Sequence, residues 1–308
     1  MRIAVVGIGG VGGYFGGKLA RHYASRKGVE IIFIARGEHL RKIRENGLRQ
    51  ITVEGEFTAH PHVATDDSRD LGAFDLVLVC VKRYDLENAA GLIRPNTNSE
   101  TVVISLLNGV DNVKPLAEKL PEARILNGCV YIGAHIAGPG VAKQSGGSCQ
   151  LFFGPEDGRT EKLAPLESVL KAADIRAVLT ENIQLAVWEK YLFVCPLATA
   201  TTYLKQPIGA FGRGSEEGSF LEKLTREVAE IGLAKGIQIS EKMIREALDK
   251  VSMFPFDTKT SMQLDFESGR QTEIDLFTGH IVNSGKELAV PTPLHDAIFK
   301  KLTYSKSS

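Results

Sequence analysis

Three groups of residues in the 308-residue chain have the types and spacing needed to reduce a small carbonyl compound. The first is Gly7-Ile8-Gly9-Gly10-Val11-Gly12, a G-x-G-x-x-G run. It follows the short apolar run Arg2–Val6 and precedes a helical segment from about Gly12 to Arg26, the strand–turn–helix setting that a dinucleotide fingerprint requires. In that setting Gly7 allows the tight turn, Gly9 lets a pyrophosphate approach the backbone, and Gly12 lets the helix pack closely on the strand. The helix N-terminus then offers N–H groups and a positive dipole end to the phosphates. The second group is Trp188-Glu189-Lys190, in which Lys190 is the only cation between Ile183 and Tyr203. The third is Thr272-Glu273-Ile274-Asp275, preceded by Thr260-Ser261-Met262-Gln263-Leu264-Asp265. Besides hydride, reduction of a 2-keto acid needs a proton donor for the nascent alkoxide, positive charge near the carbonyl and hydrogen bonds that orient the substrate. Lys190 either snorkels to the surface or enters a cleft as an acid. Glu273 can bind a substrate hydroxyl, set the charge state of a nearby lysine, or simply complement a helix dipole. Ser261 can take a substrate carboxylate or stand as an exposed helix residue.

Strand ends supply the other candidates, because ligands of parallel sheets gather at the carboxyl ends of strands. The second apolar run closes with Phe33-Ile34-Ala35-Arg36-Gly37. Arg36 stands where an NAD-dependent protein carries an acid for the ribose hydroxyls, and a guanidinium there pairs with a 2′-phosphate. The alternatives are NAD, with Glu38 two residues on as the acid, and a solvated surface arginine. Lys82, after Cys80-Val81, can meet cofactor phosphate, ribose or a substrate carboxylate. Asn108, after Leu106-Leu107 and before Gly109, can donate and accept hydrogen bonds, or mark an ordinary turn.

These residues need a scaffold. Glu30–Ala35, Leu76–Val81 and Thr101–Leu107 are continuous apolar runs separated by helix-length segments, which implies parallel strands in βαβ units. Thr52–His62 reads as extended edge structure and Gly140–Pro155 as a late hairpin. Beyond Thr180 the periodicity is helical over Asn182–Leu204, Glu216–Lys235, Glu241–Val251, Thr258–Ser268, Thr272–Leu288 and Thr292–Tyr304. Thr292-Pro293 forms a good helix start, and only the last few residues are expected to fray. Lys+Arg and Asp+Glu both number 37, so the basic excess of a general nucleic-acid binder is missing. The first apolar run, Ile3 to Val6, is too short for a signal-peptide core, no later run approaches a membrane span, and Cys80, Cys129, Cys149 and Cys195 have no CxxC spacing. A cytoplasmic protein with free thiols is the expectation. The seven histidines lack ligand spacing, so no metal is expected; His60 and His62 read as surface residues and His295 as structural.

The motifs in this order resemble the ketopantoate reductase (2-dehydropantoate 2-reductase) family over essentially the whole chain. Gly7–Gly12, Val81-Lys82, Asn108-Gly109, Trp188-Glu189-Lys190, Ser261–Asp265, Thr272–Asp275 and Ala289-Val290-Pro291-Thr292-Pro293 carry the likeness. It implies an α/β Rossmann NADP-binding domain over 1–180. An all-α substrate domain follows over 181–308, similar to the C-terminal domain of 6-phosphogluconate dehydrogenase. The implied activity is NADPH-dependent reduction of 2-dehydropantoate to (R)-pantoate, on the route to pantothenate and coenzyme A. By the same resemblance Lys190 matches the general acid and Glu273 the carboxylate that helps bind substrate and organise catalysis. Asn108 and Ser261 match substrate-binding positions. Gly7, Ile8, Gly9, Gly10, Val11, Gly12, Arg36, Lys82 and Asn108 match the surroundings of NADP(H). One departure stands out: well-studied members carry asparagines one and two helical turns after the lysine, where this chain has Val194 and Ala198. Thr199, Thr201 and Thr202 are the nearest substitutes. The departure opens a second reading, reduction of a different, less polar 2-keto acid. A non-catalytic NADP(H) sensor and a relative of the 3-hydroxyacid dehydrogenases are further alternatives. A monomer and a homodimer are both compatible with the sequence.

Overall fold

Ile3, Ala4, Val5 and Val6 open the chain as a buried run, apolar on both faces, as a central parallel strand must be. The computed structural model describes residues 1–304, and the expected fraying of the last few residues falls outside them. Two units are present, Met1–Leu107 with Asp111–Ile183, and Asn108–Val110 with Gln184–Ser308. In chain order the first comprises β1 (Arg2–Val6), α1 (Gly10–Tyr23), β2 (Glu30–Ile34), α2 (Gly37–Asn46), β3 (Leu48–Thr52), β4 (Gly55–Ala59), β5 (Val63–Thr65), β6 (Leu76–Val79), α3 (Leu86–Ile93), β7 (Val102–Ser105), α4 (Val113–Lys119), β8 (Arg124–Val130), β9 (Gly133–Gly138), β10 (Val141–Gly146), β11 (Gln150–Gly154), α5 (Ala164–Ala172) and β12 (Arg176–Leu179).

Eight strands form the main sheet in the order β12-β11-β8-β7-β6-β1-β2-β5. Neighbours run parallel except β11 against β8. Alternate residues of β1 enter different cores: Ile3 and Val5 pack with Phe15, Leu19 and Phe33, whereas Ala4 and Val6 pack with Ile32, Leu86 and Ile93. That two-sided burial is the Rossmann arrangement of a sheet covered on both faces.

A second sheet, in the order β4-β3-β10-β9, packs on α1 and differs from the sequence expectation. The stretch Thr52–His62 is not one edge strand. Its middle is β4, paired antiparallel with β3, and the chain then crosses to β5 at the edge of the main sheet. The hairpin expected within Gly140–Pro155 lies one strand earlier, between β9 and β10. β10 also pairs with β3, while β11 joins the main sheet beside β8 and β12. Glycine-rich punctuation marks both junctions, and only tertiary pairing distinguishes the hairpin turn from the crossing between sheets. The glycines of α1 explain how this sheet comes so close: a Cβ on Gly10 would overlap the Ala134 carbonyl, and one on Gly17 would overlap the Gln50 amide.

His39, at the start of α2, ties this region to the glycine run. Its Nδ1 accepts the Gly140 N–H at 2.9 Å, so the ring must be neutral at that nitrogen. Burial pulls its pKa below the ordinary imidazole value, with the Ile8 backbone opposing in part. The unfolded chain therefore takes up this proton at a higher pH than the folded one. The stabilising effect is complete above an unfolded value of about 6.5 and is lost as pH falls toward the lower folded value. We expect the melting temperature to fall below about pH 6.5, and His39→Asn, an acceptor that does not titrate, to flatten the fall in a pH series of thermal melts.

The second unit is helical: α6 (Ile183–Leu204), α7 (Glu216–Ala234), α8 (Glu241–Asp249), α9 (Ser261–Glu267), α10 (His280–Leu288) and α11 (Pro293–Tyr304). Ser215, Ser240 and Thr260 cap α7, α8 and α9 through their hydroxyls. At the expected Thr292-Pro293 start of α11, Glu227 of α7 accepts from the N–H groups of Leu294 (2.8 Å) and His295 (3.0 Å). The same carboxylate lies 2.7 Å from His295 Nδ1, so the fully buried His295 has a structural partner. All four cysteines are free thiols. Among the described residues no cluster could hold a metal ion, and no helix is long and apolar enough to cross a membrane.

Candidate active site

Between β1 and α1 the glycine run has the geometry that a dinucleotide needs. Gly7 sits at φ +87°, a backbone region that disfavours side chains, and its N–H donates to Ile34 O at 2.9 Å, hooking the loop to β2. A Cβ on Gly12 would overlap Gly7 O, so the helix can approach the strand only without one. Gly9 differs: a Cβ built there meets nothing within 4 Å, so its backbone faces open space. Ile8 is buried and Val11 half-buried, which anchors the loop from beneath. An exposed backbone face at Gly9 beside the N-terminus of α1 fits a pyrophosphate.

Arg36 follows β2 as the N-cap residue of α2, with its side chain 77% exposed. Its Nη2 donates to Asp85 Oδ2 at 2.8 Å. Glu38, the other candidate for the ribose, is gripped by Arg41, whose Nε lies 2.7 Å from Glu38 Oε2. That hydrogen bond holds the Glu38 carboxyl below the usual carboxylate range. Lys82, half-buried just beyond β6, accepts the Asp85 N–H at its carbonyl (2.9 Å) and so starts the turn that carries Asp85.

In the helical unit, Lys190 Nζ donates to Asn108 Oδ1 at 2.8 Å, joining two candidates that lie 82 positions apart in the chain. Lys190 is half-buried on α6, so of the two readings open for it, the solvated surface lysine gives way to one held by a specific acceptor. Gly109 sits at φ +97°, and a Cβ on it would overlap Leu276 Cδ1. Leu276 belongs to a single π-turn, Asp275–Gly279, two residues beyond Glu273. Such turns often occur at functional sites. Glu273 is only 5% exposed, so its side chain is enclosed by the helical unit rather than solvated.

Tyr191, which the sequence reading missed, knits these pieces together. Its buried hydroxyl donates to Leu276 O (2.9 Å) and Phe277 O (3.2 Å), and its ring stacks on Phe277. Burial raises the phenol well above its ordinary value, so it stays a protonated donor. A polar-tipped aromatic beside the lone lysine of an apolar helix was the available signal. Tyr191→Phe should lower the unfolding free energy by about 1–2 kcal/mol, since it leaves buried carbonyls without their donor. The check is a lower urea midpoint at unchanged m-value.

Ser261 is exposed at the first position of α9, while its neighbour Thr260 bonds Thr201 of α6 at 2.8 Å. Val194 is half-buried one turn beyond Lys190, and Ala198 is buried. The threonines considered as polar substitutes are turned into the core: Thr199 is buried against Thr278 (2.9 Å), Thr201 against Thr260, and Thr202 inside the helical unit. Sequence spacing gave no warning, because α6 is buried nearly all round at its C-terminal half. Beside Val194, Phe193 stacks on Phe254 with ring centroids 5.8 Å apart. Cys195 is buried next to Tyr191, and burial pushes its thiol up to about 12, which makes it an unreactive core residue.

With this geometry in hand, comparison with known proteins is decisive. The profile of ketopantoate reductase PanE/ApbA matches residues 3–158, and that of its C-terminal domain matches residues 182–304. The chain belongs to the ketopantoate reductase family. It is 30% identical over 295 residues to 2-dehydropantoate 2-reductase of Halobacterium salinarum, covering 96% of this chain and 95% of the relative. An uncharacterized oxidoreductase of Bacillus subtilis, YkpB, is 26% identical over 303 residues, 98% of each chain. Among solved structures, 2-dehydropantoate 2-reductase from Porphyromonas gingivalis superposes with a TM-score of 0.84 at 33% identity, covering 98% of this chain and 99% of the other. The protein is thus an oxidoreductase of a ketopantoate reductase family whose members bind NAD(P)H.

Proposed function

We propose that this ketopantoate reductase family member uses NADPH to reduce 2-dehydropantoate to (R)-pantoate in the cytoplasm, on the route to pantothenate and coenzyme A. The observation that carries the reading is the 2.8 Å hydrogen bond from Lys190 Nζ to Asn108 Oδ1. It fixes a cation, with its protons, on a partly exposed face of α6 rather than leaving it to sample solvent. When bound, the nicotinamide supplies the hydride. Lys190 delivers the proton to the C2 oxygen, and its charge stabilises the alkoxide as it forms. Asn108 orients the ammonium. Glu273, buried and therefore poorly screened, accepts from the substrate hydroxyl, and Ser261 takes the carboxylate.

Gly7, Gly9 and Gly12, with Ile8, Gly10 and Val11, would hold the pyrophosphate, and Lys82 and Asn108 would complete the cofactor's surroundings. Arg36 at the end of β2 supports NADPH, because the rival acid Glu38 is occupied by Arg41. A second reading rests on α6. Val194 one turn beyond Lys190, with the Phe193–Phe254 stack beside it, favours a less polar 2-keto acid.

The test is the loss of reduced-nicotinamide absorbance with purified protein, 2-dehydropantoate and a panel of aliphatic and aromatic 2-keto acids, each with NADPH and NADH. Turnover best on 2-dehydropantoate with NADPH is the expected result. A preference for an apolar keto acid would move the assignment to the second reading, and cofactor binding without turnover on any of them would make the protein a sensor.

A further inference from the structure

We infer that Asp85 sets the choice between NADPH and NADH by competing for Arg36, an inference that rests on the NADPH reading. The two residues come from neighbouring parts of one sheet edge. Arg36 follows β2, Asp85 lies in the turn after β6, and β1, which leads into the glycine run, lies between these strands. Their contact, Arg36 Nη2 to Asp85 Oδ2 at 2.8 Å, holds the guanidinium over this edge although the arginine is otherwise 77% exposed. Asp85 itself is the more enclosed partner, at 23%, and its backbone is pinned by the Lys82 carbonyl. The fixed member of the pair is therefore the carboxylate, and the arginine is the arm it steadies.

A 2′-phosphate brings a charge of about −1.5 to −2 and needs the guanidinium's donors. It must share Arg36 with a carboxylate that repels it. A bare 2′-hydroxyl faces the opposite situation, because it is a donor and Asp85 is an acceptor it can use. One residue thus works against NADPH and toward NADH, while Arg36 works toward NADPH. Glu38 takes no part, being held by Arg41.

The test is direct binding, by calorimetry or by fluorescence of the reduced nicotinamide, for the wild type, Asp85→Asn and Arg36→Ala. Asp85→Asn keeps the shape and removes the charge. It should tighten NADPH roughly three- to tenfold, a modest factor because exposed pairs are screened, and should weaken NADH. The gain should shrink as salt is raised. Arg36→Ala should weaken NADPH and leave NADH nearly unchanged. If Asp85→Asn leaves the NADPH-to-NADH affinity ratio unchanged while Arg36→Ala lowers it, Asp85 has no selective role and the NADPH reading stands. If Arg36→Ala leaves the ratio unchanged, the NADPH reading falls and the role of Asp85 with it.

Discussion

Lys190→Ala should lower kcat on the preferred 2-keto acid by roughly 10²–10⁴-fold, the range that a positioned general acid contributes. The fold should survive the change, because Lys190 is only half-buried and its bond to Asn108 is to a neutral side chain. Lys190→Arg separates charge from proton delivery. A guanidinium keeps the positive charge, but it does not give up a proton in the accessible pH range. We therefore expect Lys190→Arg to recover little of the lost kcat, and small primary amines added to Lys190→Ala to restore part of it. Steady-state kinetics with melting curves of each variant make the check. Near-normal turnover by a folded Lys190→Ala protein would remove the lysine from the mechanism.

The two glycines of the fingerprint should both lose cofactor affinity but differ in what they cost the fold. At Gly12 a methyl group would overlap Gly7 O, a backbone atom that cannot swing aside. Gly12→Ala should cost about 1–3 kcal/mol of stability, the usual cost of overpacking, and should abolish tight cofactor binding by distorting the turn. At Gly9 the added methyl meets nothing, and φ is −86°, but ψ is −148°, outside the ordinary β region of side-chain-bearing residues. Gly9→Ala should cost less stability than Gly12→Ala yet weaken NADPH at least tenfold, because the methyl occupies the space through which a pyrophosphate reaches the backbone. Calorimetric melts and cofactor titrations read both. An equal loss of stability at the two positions, or full NADPH affinity in Gly9→Ala, would mean that the open face at Gly9 is not the cofactor's.

Local patterns made much of the first unit legible. The apolar runs at β1, β2, β6 and β7 can be buried only as central parallel strands, and the glycine run between β1 and α1 can be placed because its neighbours are unambiguous. The helical texture after residue 180 was equally plain, since the 3.6-residue period persists through α7 and α11. Short glycine-punctuated strands were not legible. Whether Gly140–Pro155 turns back on itself or passes between two sheets depends on partners in β3, β8 and β9, which no local window contains.

The candidate site divides along the same line. Residue types by themselves determined that a lone lysine, a carboxylate and an asparagine were available for chemistry, because charge and hydrogen-bonding capacity belong to the side chain wherever it sits. Tertiary structure alone decided which of them meet. It brought Lys190 to Asn108, tucked Gly109 against Leu276, and tied α6 to the π-turn after Glu273 through the Tyr191 hydroxyl. It also sent Thr199 and Thr201 into the core and left Ser261 at the surface. The physical reason is that a hydrogen bond depends on distances of about 3 Å between atoms that the sequence separates by dozens of residues, and only the packed chain sets those distances.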